Sequence, residues 1–206
     1  MSTINFDRIS IELAQRINDP VATAATDGNI LTADLRTSFV NKALHKLFND
    51  MWVAVQGDKK KFVEIFPEMT ADNLIITDSN GLFTVASPIL DFFTIIDGLK
   101  VTGNIYIPAI DDYFWNIVKS GANEDYVYTA AEPAVIEHNR ILYFFPASDY
   151  ASKSIAINYI KMPLDPATGA FLTQGGTTDS PFYPHWNSRI AEIAEELFRI
   201  SAQDRS

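Results

Sequence analysis

From Phe6 to Ile17, apolar residues return at Ile9, Leu13 and Ile17, a spacing of four that keeps them on one helical face. Asn18-Asp19-Pro20 predicts the end of this helix, since proline cannot continue it. A small-residue linker over 21–30 contains Asp27-Gly28, and a longer helix is predicted from Thr32 to Val55. Val40, Leu44, Leu47, Met51 and Val55 form its apolar stripe, widened by Phe39, Phe48 and Trp52. Lys42, His45, Lys46 and Asn49 mark the opposite, wet face. A shorter helix over Lys59–Phe66 stops before Pro67.

The period then changes. Asn73–Thr77 and Leu82–Ser87 flank Asp78-Ser79-Asn80-Gly81, where Asn-Gly predicts a tight hairpin because both residues tolerate left-handed backbone. Asp91–Val101, rich in Phe, Ile and Thr, reads as one long strand or a strand pair. Asp111–Ser120 reads as a one-face helix, capped by Asp111 and followed by Gly121. Val127–Thr129, Ala134–Ile136, Ile141–Phe145 and Ser154–Ile160 resume the strand pattern, with a turn at Glu137-His138-Asn139-Arg140. Phe182-Tyr183-Pro184-His185-Trp186 leads into a final helix whose apolar stripe is Trp186, Ile190, Ile193, Leu197 and Ile200. This order predicts an α+β fold in which N- and C-terminal helices form a bundle and an antiparallel β-rich region is inserted between them. The expected organisation is one domain over 1–206, helical over about 6–66, 110–121 and 182–202 and β-rich over about 73–107 and 126–162.

Charge narrows the function classes. Sixteen Lys and Arg stand against 26 Asp and Glu, a formal net charge of −10, whereas a protein that grips nucleic acid presents a basic patch. The one dense cationic run, Lys59-Lys60-Lys61, reads as a solvated helix face. The chain contains no cysteine, which excludes disulfides, thiolate nucleophiles and zinc–thiolate sites. No apolar run approaches the roughly 20 residues of a membrane-spanning helix, and Met1–Arg8 lacks a signal-peptide pattern. The expectation is a soluble chain made in the cytoplasm.

Catalytic and metal-binding patterns are not found. His45, His138 and His185 are scattered, and none has a second ligand at metal-binding spacing. Asp78–Gly81 fails as a calcium loop, since placing Gly81 sixth puts Ile76 first and Ser87 last. Gly175-Gly176-Thr177-Thr178 lacks the Gly-Lys-Ser/Thr ending of a phosphate loop. Asp111-Asp112 and Glu195-Glu196 are helical neighbours whose side chains diverge by about 100°. They read as N-terminal acids and a solvated face. No serine sits in a nucleophile elbow. No enzyme, cofactor or metal is expected. Residues 163–181 form a loop longer than compact domains usually allow, with Phe171-Leu172 set among polar and glycine residues. Both are expected to stay exposed on a poorly ordered loop, as a candidate subunit interface, with folding back onto their own domain as the other reading.

The layout resembles the head-to-tail connector proteins of tailed bacteriophages, the adaptor or tail tubular protein A-like group that includes ring proteins of short-tailed, crAss-like phages. The resembling stretches are Phe39–Leu44 in the long helix, Arg140–Pro146 and Asn158–Pro163 at strand ends, and Pro184-His185-Trp186 with Ile190–Ala194. The likeness spans nearly the whole chain through order and texture, and it carries no catalytic residue. It implies a homo-oligomeric ring, usually of twelve copies, in the virion neck between portal and tail proteins. DNA would pass through such a ring without specific binding, and an acidic lumen suits that passage. The competing class is a monomeric or dimeric β-rich module recognising protein or carbohydrate, and a small hydrolase comes third.

Overall fold

The structure, a computed structural model, describes residues 5–19, 31–85, 89–101, 105–120, 127–176 and 178–203. The chain divides into a helical unit (residues 1–69 and 162–206) and a β unit (residues 70–161). It is α+β, with the β-rich region inserted between terminal helices.

In the helical unit, α1 (Asn5–Arg16), α2 (Ala33–Ala54) and α6 (Asn187–Gln203) pack on one another, and α3 (Lys59–Ile65) follows α2. Local chemistry sets the ends of α2. Thr32 accepts from the Leu35 amide at 3.3 Å, supplying one partner that the first turn cannot find within the helix. At the other end Gln56 and Gly57 take φ of 55° and 74°, and Gly57 N–H reaches back to the Trp52 carbonyl at 3.1 Å. Asp58 caps α3 by accepting from the Lys60 and Lys61 amides at 3.0 and 3.2 Å. The lysine run is therefore the first turn of a capped helix, and Lys61 also meets Asp58 at 3.8 Å.

Phe6, Ile9 and Leu13 of α1, Val40 and Leu44 of α2, and Ile190 and Ile193 of α6 are buried, at about 1.5–3 kcal/mol each. Aromatic rings continue this core. Phe62 meets Phe48, Trp52 and Phe66, and Phe66 meets Phe182 and Trp186 at 5.3 and 4.7 Å. The Phe182–Trp186 stretch thus seats α6 on α3. The buried face of α6 differs from its expected stripe, since Ala191 and Ala194 join Ile190 and Ile193 while Ile200 is exposed. At a helix–helix contact, small residues permit closer approach than the terminal isoleucine needs.

In the β unit the strands are β1 (Thr70–Ile76), β2 (Leu82–Thr84), β3 (Phe92–Val101), β4 (Ile105–Ile110), β5 (Ala134–His138), β6 (Ile141–Phe145) and β7 (Ser154–Lys161). They lie in the order β1-β7-β3-β4-β5-β6-β2. Pairings are antiparallel except β4 with β5, which is parallel over Ala109–Ile110 and Val135–Ile136. A parallel step needs a long connection, and residues 111–133 supply it, including α4 (Trp115–Ser120). This helix lies within the segment Asp111–Ser120 whose pattern predicts it. It belongs to the β unit because Trp115 and Val118 bury against Ile136. Asp111 does cap its start, accepting from the Tyr113 amide at 2.9 Å, while Gly121 lies outside the described residues.

The Asp78–Gly81 turn forms, but not as a hairpin. Asp78 accepts from the Asn80 and Leu82 amides at 2.8 and 2.9 Å, and Gly81 takes φ 70°. A Cβ at Gly81 would lie 2.4 Å from the Ala147 carbonyl oxygen, at the start of α5 (Ala147–Tyr150). The flanking strands then separate, β1 to β7 and β2 to β6, at opposite ends of the strand order. The true tight hairpin joins β5 to β6, where Asn139 and Arg140 take φ of 51° and 60° and His138 pairs with Ile141. Val127–Thr129 joins no strand. One buried cluster, including Ile75, Phe83, Phe92, Phe144, Ile155 and Ile157, draws on both ends of the strand order.

Candidate subunit interface

Residues 163–181 are pinned to the helical unit rather than loosely held. Asp165 organises the first half, accepting from the Ala167 amide at 2.8 Å and from the Thr178 hydroxyl at 3.1 Å. Its carbonyl accepts from Gly169 N–H at 2.7 Å, with Gly169 at φ 66°. Asp7 of α1 accepts from the Gly175 amide at 2.9 Å, and Asp179 accepts from the Phe6 amide at 2.8 Å, so the loop also caps α1.

The tip is held most firmly. The Asn41 amide, buried on α2, donates to the Leu172 carbonyl at 2.8 Å and accepts from the Leu172 amide at 3.0 Å. Both backbone groups of Leu172 are thereby satisfied, which lets its side chain enter the core at 1% exposure. The expectation that Phe171 and Leu172 both stand exposed on a poorly ordered loop therefore needs correction at Leu172. Leu172 is seated in the core, whereas its neighbour Phe171 points outward, at 61% exposure. Phe171 forms one wall of a cleft of about 310 Å³, whose other walls are Asp34, Thr37, Ser38, Asn41 and Lys42 of α2.

Phe171 also covers His45, with ring centres 5.3 Å apart at 79°. His45 is therefore half-buried, beside the exposed Lys42, Lys46 and Asn49 of the expected wet face. Burial holds its pKa below the ordinary 6.5. Its Nε2 is buried and, among the described residues, meets no hydrogen-bond partner.

The β unit carries a second apolar surface. β1 stands at one end of the strand order and, among the described residues, is paired along its length to β7 alone. Leu74 and Ile76, two residues apart on one face, are each 68% exposed. The Thr77 amide bonds to Lys153 across the β1–β7 seam, so by alternation the amides of Asp72, Leu74 and Ile76 point away from β7. That of Leu74 is held by the Asn73 side chain at 2.8 Å.

Sequence reasoning also missed a cluster on the β unit. His138 bonds to Asp112 through Nδ1 and stacks on Trp115 at 4.7 Å and 16°. The Asn139 amide meets Nε2 at 3.0 Å, which makes Nε2 the acceptor and Nδ1–H the donor to Asp112. Lys119 lies 5.1 Å from the Trp115 ring on the same cluster. Both imidazole nitrogens are engaged, so the dyad braces α4 on β5. The paired acids Asp111-Asp112 thus do different jobs, and Glu195 pairs with Arg199 at 2.7 Å. Among the described residues, no group of three or more His, Asp and Glu is placed to hold a metal ion, and no helix is long and apolar enough to cross a membrane. No protein-family model matches the chain, and no curated protein matches it significantly.

Proposed function

We propose that this chain is a structural subunit of an oligomeric head-to-tail connector ring, joining portal to tail in a bacteriophage neck and surrounding the DNA passage. The observation that carries this reading is Phe171, an exposed aromatic fixed beside a cleft by the seated Leu172. An aromatic held in place before a partner arrives loses little freedom on binding, so most of its roughly 1.5–3 kcal/mol of burial goes to the contact. Rings close through two different surfaces that meet head to tail. Phe171 on the helical unit and Leu74 with Ile76 on the β unit are two such surfaces, unlike in backbone and in shape. The net charge of −10 suits a conduit that lets DNA slide past. The family itself is drawn from the resemblance in the order of elements.

Native mass measurement of the purified chain, alone and mixed with a portal ring, is the direct test. A closed oligomer, alone or templated by the portal, is expected, with Phe171→Ser weakening its formation. A chain that stays monomeric in both conditions overturns the reading. That result would favour the β-rich binding module, for which Tyr106 and Tyr113, exposed on the β unit, supply aromatic surface.

A further inference from the structure

His45 lies one helical turn beyond Asn41, the residue that clamps Leu172. The clamp fixes the backbone of the loop tip and so brings the Phe171 ring edge-on to the imidazole at 5.3 Å. Nε2 of His45 is itself buried, and among the described residues it meets no hydrogen-bond partner. A neutral imidazole tolerates one unbonded nitrogen in such a place. The imidazolium must put a charged N–H donor there, with no water and no acceptor to meet it.

Among the described residues, no acid bonds to that nitrogen; Asp34 lines the cleft beside Phe171. On α2, Lys42 lies over the Phe39 ring at 5.4 Å and Lys46 bonds to Asp50 at 2.8 Å. On the loop, Asp165 is engaged by Ala167 and Thr178. On α1, Asp7 holds the Gly175 amide and Glu12 pairs with Arg16. On α6, Glu192 pairs with Arg189 and Glu195 with Arg199. Each of the bonded acids has work elsewhere. Movement of the Phe171 ring would admit water to the imidazole.

We propose that His45 and Phe171 form a proton-operated latch at the loop tip: a proton taken up by His45 drives the Phe171 ring off the imidazole. Phe171 keeps its fixed position only while His45 is neutral. The coupling is reciprocal, so lifting the ring raises the proton affinity of His45. Asn41 does not titrate and Leu172 stays seated, which confines the movement to the ring and its immediate neighbours. This latch stands whether or not the chain assembles. In an assembly that grips Phe171, acid would loosen that contact.

The test is an NMR titration of the full chain between about pH 5 and 8, the range in which histidine changes charge. It follows the His45 imidazole together with Phe171 and Leu172. The expected result is a His45 midpoint below 6.5, the ordinary value, with the Phe171 signals shifting at the same midpoint. Phe171→Ala should move the His45 midpoint upward, while Phe171→Leu, which keeps an apolar cover, should leave it near the wild-type value. His45→Gln should abolish the acid-induced shift of Phe171 and leave Leu172 unchanged. A His45 midpoint that ignores Phe171→Ala overturns the latch. So does a Phe171 acid shift that persists in His45→Gln. If His45→Gln fails to fold, the two Phe171 variants decide alone.

Discussion

Asp19 in the helical unit and Asp91 in the β unit are both buried carboxylates, and their surroundings treat them differently. Asp19 meets the Arg36 guanidinium at 3.3 Å and also accepts from the Leu31 amide at 3.2 Å, while Arg36 donates to the Leu31 carbonyl at 3.3 Å. The pair ties the end of α1 to the start of α2. Asp91 is offered a neutral donor, the Tyr159 hydroxyl at 3.1 Å, beside a Phe92 ring stacked on Tyr159 at 5.5 Å. Desolvation raises the pKa of Asp91, and the hydrogen bond from Tyr159 offsets part of that rise. Burial together with the nearby Asp91 charge also pushes the Tyr159 phenol up. A buried carboxylate given a cation ties stability to that pair. One given a phenol leaves stability dependent on pH.

The largest expected effect breaks the first arrangement. Arg36→Met leaves Asp19 buried without its cation and should cost about 3–5 kcal/mol in urea unfolding. A loss under about 1 kcal/mol would mean that Asp19 finds water once Arg36 is gone. Next comes the loop tip, where neighbouring residues face opposite ways. Leu172→Ala should cost about 2–4 kcal/mol, while Phe171→Ala should stay within about 0.5 kcal/mol. Equal losses would show that the two side chains share one buried environment.

In the β unit, Gly81→Ala combines strain at φ 70° with a Cβ 2.4 Å from the Ala147 oxygen. It should cost about 1–3 kcal/mol in the same assay, and an unchanged midpoint would mean that the turn rebuilds. The smallest effect sharpens the comparison of carboxylates. The folded pKa of Asp91 lies above its ordinary 3.8, so its contribution is fully present below that value and is lost as pH rises through the folded pKa. Asp91→Asn removes this dependence while keeping an acceptor for Tyr159. Relative to wild type, the variant should therefore melt higher at neutral pH than at pH 3.5. A constant difference across that range would place the Asp91 charge in contact with solvent.

Local chemistry was legible in the chain wherever it acts over a few residues. Thr32 and Val55 bound α2 as its pattern predicted, because a cap is a bond between a side chain and an amide three residues on. Asp111 caps its segment in the same local way, through the Tyr113 amide two residues on. Ile141–Phe145 is a strand at its predicted limits. Asp78–Gly81 turns as expected, but the partners of β1 and β2 lie more than fifty residues away, and no local signal names them. Val127–Thr129 has strand-forming residues without a ladder to join. Phe171 and Leu172 stood out in sequence as a pair. Their separation depends on Asn41, 131 residues from Leu172.

The sequence by itself determined the kind and order of most elements, the caps at Thr32 and Asp111, the turn at Gly81 and the acidic charge. Each follows from the steric and hydrogen-bonding preferences of residues close along the chain. Tertiary structure decided which edges β1 and β2 occupy, that α4 serves the sheet, that His45 lies under an aromatic ring, and that Leu172 is core while Phe171 is surface. Those outcomes depend on which distant groups meet, and burial free energy rewards the meeting whatever the spacing along the chain.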